Sequence, residues 1–559
     1  MYLPPVSRGS KSTSPSWLIC HCRSPSTPPQ SHPTSEHTLS NDLNILLLLS
    51  DEHSFRFLSA RDPRRGGEPC HTPALDGLVD QGANCDAAYC QMPLCTPSRI
   101  SMLTGRHSHR CGAWGNGSVL SLEIPTIGSH LVRHGYATAT VGKMHLGGSL
   151  QHAGFGARPY GDFGGPPGHQ LDPLDKLADR KGEPGMAMRS RTLDAGVSQV
   201  PESLLQEQMV VRESLAWLRE HRHRQPDTPW MLMASFSRPH FPLTAPRRFF
   251  DRYYPTGVTP PRVRRGGDAA RHPMTEAAIR GFRTDEIGEQ EMLRARAAYF
   301  ACVDTLDEIL GDFLAVLKAD GLLDRTVIVY TSDHGELAGE HGLFWKNTWH
   351  EAATRVPLIF SLPEHRSGEL AASEIVQPVS LADLFPTLCG LSEVPLPAEL
   401  DGLDLADAVR GRDCRSLMER PGVICESLAP RWGEGTEFRM IRSADCKYIA
   451  FRGCEDLAFD LRADPDEQVN LITRSTKAEE VNRLNSLRAA VLDGFDFDRA
   501  EAMRLDSKRL AERFPAKVRP RTPNQILRGD GLLVEADTSL YSPDVVSSDP
   551  AADFEDYSV

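Results

Sequence analysis

Nowhere in the 559 residues does an apolar run approach the ~18–20 residues needed to cross a bilayer, so no membrane span is expected. The first 40 residues carry no secretory core either: their longest apolar stretch is about "WLIC", set among Ser, Pro and Thr. There is no excess of basic residues. Lys and Arg number 62 against 75 Asp and Glu, a net charge of −13 that argues against general nucleic-acid binding but leaves room for a local cationic pocket. No CxxC pair occurs among the 13 cysteines, which excludes a zinc ribbon or dithiol redox motif. Their odd number and irregular spacing fit a reducing compartment with mostly free thiols, and without an export signal the cytoplasm is the expected location. No internal repeat is present.

What is present is a series of short apolar runs that each end in polar residues. "NILLLLSDEH" holds an unbroken run from Ile45 to Leu49, the mark of a strand buried on both faces, and closes on Asp51 and Glu52. Strands are predicted near Tyr136 to Val141, ahead of Lys143 and His145, and near Trp230 to Phe236, ahead of Arg238 and His240. A further strand at Thr326 to Thr331 precedes Asp333 and His334. Between them lie helical patterns at Thr126 to His134, in "EQMVVRESLAWLREHR", and in the long segment that stops at Gly321. Strands alternating with helices predict an α/β fold: a mostly parallel sheet with helices on both faces. In such sheets ligands bind beyond the carboxyl ends of the strands, where every one of these polar clusters falls.

The expected organisation is a disordered leader at 1–40, a catalytic domain at 41–400, a smaller C-terminal α+β region with a short antiparallel sheet at 401–515, and a polar tail at 516–559. The Gly- and Pro-rich stretches from Gly154 to Arg189 and from 254 to 275 are expected to be loops framing a pocket. Tyr160, Arg238, Trp345, Asn347 and His350 are candidates for either the pocket wall or packing.

Asp51, Asp333 and His334 at two strand ends suit a hard divalent cation; the plainer reading is that the aspartates cap helices. Lys143, Lys346, His145 and His240 would form a cationic ring for a tetrahedral anion. Cys95, in "QMPLCTPSRISMLTGR", has a turn-forming Pro97 and the fixed cation Arg99 close by. No neighbouring signature supplies a histidine base or a partner thiol, so the residues alone leave its role open.

"LCTPSRISMLTGR" resembles the signature of the type I sulfatases, a branch of the alkaline-phosphatase-like superfamily. The resemblance extends through "NILLLLSDEH", "HTPALDGLVDQG", "VGKMHLGG", "SFSRPHFPLTAP", "TSDHGELAGEHGLFWKNTWHEAATRVPLIF" and "DLRADPDEQVNL", in order, over roughly residues 41 to 475. The "SDHG" around His334 is similar to the choline-sulfatase and phosphonate-monoester-hydrolase branch. The resemblance implies that Cys95 is oxidised to formylglycine by a formylglycine-generating enzyme and hydrates to a geminal diol. One hydroxyl attacks sulfur; the other expels sulfate by re-forming the aldehyde. It implies that Asp51, Asp333, His334 and the residue-95 side chain hold calcium, with manganese or magnesium as alternatives, and that Arg99 steadies the diol. Lys143, Lys346 and His240 would grip the sulfate, His240 or Lys346 would protonate the leaving oxygen, and His145 would take the diol proton. Glu52 stands where many members have a second aspartate, and the resemblance implies a metal-ligand role for it as well.

The leading expectation is hydrolysis of a small-molecule or carbohydrate sulfate monoester. A phosphonate monoester or phosphodiester hydrolase with the same nucleophile is the first alternative. A catalytically inactive binding scaffold is the second, though such a scaffold would be expected to have lost Cys95, Arg99 or the lysines. Whether the chain forms a homo-oligomer is left open.

Overall fold

The computed structural model describes residues 43–147, 151–161 and 191–511, and a small antiparallel hairpin at Gln525–Leu527 and Leu533–Glu535. The leader, most of the Gly154–Arg189 loop and the tail beyond the hairpin lie outside the described residues. Among those described, no helix is long and apolar enough to cross a membrane, and the cysteines are free thiols.

The central sheet is seven-stranded. Its strands are β1 (Asn44–Asp51), β2 (Ala83–Cys85), β3 (Ala137–Gly142), β4 (Trp230–Pro239), β5 (Thr326–Ser332), β6 (Leu358–Ser361) and β7 (Ser373–Ile375). They lie in the order β7-β2-β6-β5-β1-β4-β3. β1 runs parallel to both neighbours, with Ile45 opposite Met231 and Val327, and β3 runs parallel to β4. β6 alone is reversed, antiparallel to both β5 and β2. The sheet is thus mostly parallel, as the alternating pattern predicts.

Five helices fix the positions that matter for the site: α1 (Pro73–Asp80), α2 (Cys95–Thr104), α3 (Ile127–Arg133), α4 (Gln206–Arg224) and α5 (Glu289–Ala319). All eight residues of β1 are buried because its two faces serve two layers. Leu46 and Leu48 pack with Val210 and Trp217 of α4 and with Leu306, Leu310 and Phe313 of α5. Ile45, Leu47 and Leu49 pack on the other side with Ile100 and Leu103 of α2 and Leu131 of α3. Each such side chain contributes roughly 1.5–3 kcal/mol when fully buried, so a run with no polar alternation is what this slot selects. α3 starts on a Thr126–Ser129 capping box, and α5 ends at Asp320 and the left-handed Gly321 (φ +70°).

The C-terminal region carries the antiparallel sheet β8 (Val423–Ser427), β9 (Phe438–Arg442), β10 (Cys446–Phe451) and β11 (Leu457–Asp460), covered by α6 (Ala478–Leu492). Leu484, Leu487 and Val491 of α6 pack on Ile441, Tyr448 and Ala450. The opposite face, with Phe438, Met440 and Phe459, joins the same core as Ile45 and Leu47. Buried polar contacts tie the region down as well. Lys447 Nζ meets Glu351 at 3.0 Å and Glu467 at 2.6 Å, while Glu426 meets His109 at 2.8 Å and Arg439 at 3.2 Å.

Burial pushes the Glu426 carboxyl up, but the His109 hydrogen bond and charge, with Arg439, bring it down to about 2. A depressed folded value stabilises above the unfolded carboxylate range and is lost as pH falls through the folded value. Glu426→Gln is therefore expected to destabilise by about 3 kcal/mol near neutrality, with the deficit shrinking between pH 4.5 and 2. Urea unfolding at stepped pH checks this; a deficit that does not change with pH would contradict it.

Candidate active site

The carboxyl ends of four parallel strands deliver the polar residues to one place. β1 ends in Asp51 and Glu52, β3 leads into Lys143 and His145, β4 into His240, and β5 into Asp333 and His334. α2 begins at Cys95, its N-cap Leu94 offers no side-chain cap, and the Thr96 amide is taken by Asn116 Oδ1 at 3.2 Å, so the positive end of the helix lies at residue 95. Two glycines make the approach close enough. A Cβ on Gly142 (φ +93°) would fall 2.1 Å from the Ser235 carbonyl oxygen, and one on Gly335 2.0 Å from that of Ala352.

Arg99 organises the centre. Its Nε donates to Asp333 Oδ2 at 2.7 Å and one terminal nitrogen to Asp51 Oδ2 at 2.9 Å. The other terminal nitrogen donates to the Lys143 carbonyl at 2.6 Å and to Ser235 Oγ at 2.8 Å. Lys143 Nζ reaches Asp51 Oδ2 at 2.8 Å. Asp333 Oδ1 accepts from the Glu52 and His334 amides at 3.2 and 2.9 Å. Asp51 therefore does not serve as a helix cap: its Oδ2 is held by cations, and its Oδ1 faces Cys95 Sγ at 3.8 Å and His334 Nε2 at 3.9 Å. His334 Nε2 lies 3.2 Å from Cys95 Sγ. One ligand atom from each of Asp51, Cys95, Asp333 and His334 falls within 4.8 Å of the others, all buried. Two carboxylates, an imidazole and the residue-95 side chain are a donor set that fits a divalent cation.

Glu52 sits beside this set. Its carboxylate meets Lys346 Nζ at 3.0 Å and His240 Nε2 at 3.4 Å. With Asp51 and His240 it forms a second cluster of cation-binding type, so it shares an edge with the first group rather than belonging to it. His240 Nδ1 lies 2.8 Å from the Phe241 carbonyl, which makes Nδ1 the protonated nitrogen of the neutral ring and turns Nε2 toward Asp51 and Glu52. His145 adjoins Cys95 through the backbone, its carbonyl accepting from the Thr96 hydroxyl.

Charge follows the geometry. Burial raises the Asp51 carboxyl, but Lys143, His240, Arg99 and His334 together hold it well below the usual range. Asp333 is raised by burial and by Asp51. Burial and Asp51 raise the Cys95 thiol, yet Lys346, Lys143 and His334 outweigh them and leave it well below an ordinary thiol. Burial lowers His334 and Asp333 raises it, for a net value of about 9. Burial and the two lysines push His240 down to about 3. The site is a cationic chamber around one anionic position.

Residues 44–394 match the Sulfatase family, more than half of the chain. The chain belongs to the sulfatase family. It is thereby a sulfuric ester hydrolase. Residues 339–491 also match the family described as N-sulphoglucosamine sulphohydrolase, C-terminal. Among relatives, the choline-sulfatase of Rhizobium meliloti (strain 1021) is 29% identical over 475 residues, covering 82% of this chain and 88% of its own. The arylsulfatase of Clostridium perfringens is 29% identical over 477 residues, covering 81% and 94%. Of solved structures, the phosphonate monoester hydrolase of Agrobacterium radiobacter superposes with a TM-score of 0.65 at 22% identity, covering 88% of this chain and 99% of that one. That likeness shows the fold.

Several residues of the sulfatase site escape sequence reasoning. Ser98 Oγ donates to the Asp333 carbonyl, and Ser235 supports Arg99; both lie within recognised motifs but carry no chemistry of their own. Tyr299, on the interior of α5, donates to the Glu52 carbonyl at 2.6 Å. Glu52, His145, Trp345 and Asn347 all adopt left-handed φ (68°, 57°, 68° and 68°), placing strained backbone at Asp51 and on both sides of Lys346. Of the pocket-or-packing candidates, three prove to pack. Arg238 pairs with Glu207 at 3.1 Å, Trp345 lies against Phe282 and Phe344, and His350 stacks on Trp349.

Proposed function

We propose that the sulfatase hydrolyses a sulfate monoester at position 95 after that thiol has been oxidised to formylglycine by a formylglycine-generating enzyme. One observation carries the reading: Cys95 Sγ lies at the first turn of α2, 3.2 Å from His334 and 3.8 Å from Asp51, in a chamber whose charge comes from Arg99, Lys143 and Lys346. The sulfur stands in for the oxygens of the hydrated aldehyde, which supplies one hydroxyl for attack on the ester and another to re-form the carbonyl and release sulfate.

Asp51, Asp333, His334 and the residue-95 side chain would hold the cation, with calcium proposed and magnesium or manganese as alternatives. When bound, such an ion supplies Lewis-acid polarisation of the nucleophile and of a sulfate oxygen. Arg99 holds the two carboxylates in place and favours their charged forms. Lys143 and Lys346 balance the sulfate charge, with His240 completing the grip. Of the two candidates for protonating the leaving oxygen, Lys346 is favoured, because against burial Cys95 and Glu52 keep its ammonium charged, while His240 is a neutral ring with its proton on Nδ1; His145 is assigned the hydroxyl proton. The proposed units remain a catalytic region at 41–400 and a C-terminal region at 401–515.

Chelation is expected to lower turnover of an aryl sulfate by about tenfold or more, and added calcium to restore both turnover and thermal stability. Indifference to chelators would count against the cation site. Parallel assays with an aryl sulfate, a phosphodiester and a phosphonate ester test the reaction class: the sulfate should turn over fastest, and preference for either phosphorus ester would replace this reading with a phospho-hydrolase.

A further inference from the structure

Two guanidinium groups from distant parts of the chain stand near the catalytic chamber with no acidic partner among the described residues. The Arg191 guanidinium carbon lies 3.5 Å from the centroid of the Phe241 ring. The same ring stacks on His240, 3.8 Å between centroids, and has Lys346 Nζ 5.2 Å from its centre. Phe241 therefore fixes Arg191 one ring away from two groups that face the sulfate. Stacking uses the flat face of the guanidinium and leaves its in-plane N–H donors available.

Arg431 arrives from the loop between β8 and β9, with its guanidinium 5.3 Å from the Trp432 ring. Trp432 Nε1 donates to the Asn347 carbonyl at 2.8 Å, and the Asn347 amide donates to the Pro93 carbonyl at 2.9 Å. Those bonds anchor Arg431 between the residue after Lys346 and the turn that leads into Cys95. Arg191 is half-buried and Arg431 exposed. Among the described residues, neither forms an ion pair or a hydrogen bond to a carboxylate, whereas Arg99, Arg238 and Arg439 are each matched with one.

The two charges sense each other and the site. Burial above all, and the Arg431 charge, lower Arg191 while Glu52 and Cys95 raise it, for a net value of about 10. Holding like charges together beside an anion site is unfavourable until an anion lies between them.

We propose that Arg191 and Arg431 form a subsite for a second negative charge, a carboxylate or a further sulfate, on the organic part of the substrate. This rests on the sulfatase reading and narrows it: an ester of an anionic alcohol is favoured, and one bearing a quaternary ammonium is opposed by both cations.

The test measures kcat/KM on the enzyme with residue 95 converted, using four phenyl sulfates that carry a meta carboxylate, sulfate, carboxamide or trimethylammonium group. Wild type is expected to prefer the anionic esters. In Arg191→Ala and in Arg431→Ala the anionic-to-carboxamide ratio should fall about tenfold, and the trimethylammonium-to-carboxamide ratio should rise. Arg191→Lys and Arg431→Lys should recover part of the anionic preference. A fall confined to the carboxylate or to the sulfate arm supports the subsite and identifies which group it reads. Turnover of all four esters with ratios unchanged in both alanine variants, or a wild-type preference for trimethylammonium, overturns the subsite alone. Hydrolysis of none of the four rejects the sulfatase reading and the subsite with it.

Discussion

Cys95→Ala is expected to lower kcat by about four orders of magnitude or more, and Cys95→Ser to fall nearly as far. The two variants fail for different reasons. Alanine removes the nucleophile and trims one buried sulfur atom, a small change in volume. Serine keeps an oxygen in the same place, beside His334 and Asp51, so it can attack the ester once. It lacks the second hydroxyl that would expel sulfate by re-forming a carbonyl. The serine variant should therefore retain covalently attached sulfate after exposure to substrate, a signature that alanine cannot give. Near-normal turnover in either variant would reject the proposed nucleophile.

Arg99→Ala is expected to abolish turnover and to cost about 3–5 kcal/mol of stability. The reason is visible in its four hydrogen-bond partners: Asp51, Asp333, the Lys143 carbonyl and Ser235. Arg99 and both aspartates are fully buried, so losing the guanidinium leaves two carboxylates close together with only Lys143 and His334 to offset them. Burial and the like charge of Asp51 already raise Asp333, and losing Arg99, which lowers it, should raise it further. Arg99→Lys should fall between the two, because a point charge cannot span two carboxylates as a planar fork does. Calcium should narrow the deficit, since a cation between Asp51 and Asp333 replaces part of the lost charge. Denaturant unfolding with and without calcium measures this. Wild-type stability in Arg99→Ala would mean the carboxylates do not depend on the guanidinium.

The sequence made the frame legible where one physical demand governs. Ile45 to Leu49 reads as a doubly buried strand because no other slot tolerates five apolar residues in a row, and β1 lies at the centre of the sheet. The polar residues that end each run were readable as a site because parallel strands point their carboxyl ends the same way. Cys95, Pro97 and Arg99 were legible together through the motif. Glu52 was not: its carboxylate direction depends on a left-handed backbone and on the Tyr299 hydroxyl some 250 positions away in the chain, a separation of 247. Arg238 and His350 occur beside motif residues, yet their environment is decided by Glu207 on α4 and by the Trp349 ring. Arg191 and Arg431 carry no local signal, because only folding brings a residue after the long loop and one from the C-terminal sheet to the same rim.

Mass spectrometry of the tryptic fragment from Gly66 to Arg99, taken from enzyme made alongside a formylglycine-generating enzyme, bears most directly on the chemistry. Conversion at position 95 should leave the fragment lighter by one sulfur and two hydrogens and heavier by one oxygen, with the converted fraction rising in proportion to specific activity. A fully active preparation whose residue 95 is still a thiol would contradict it.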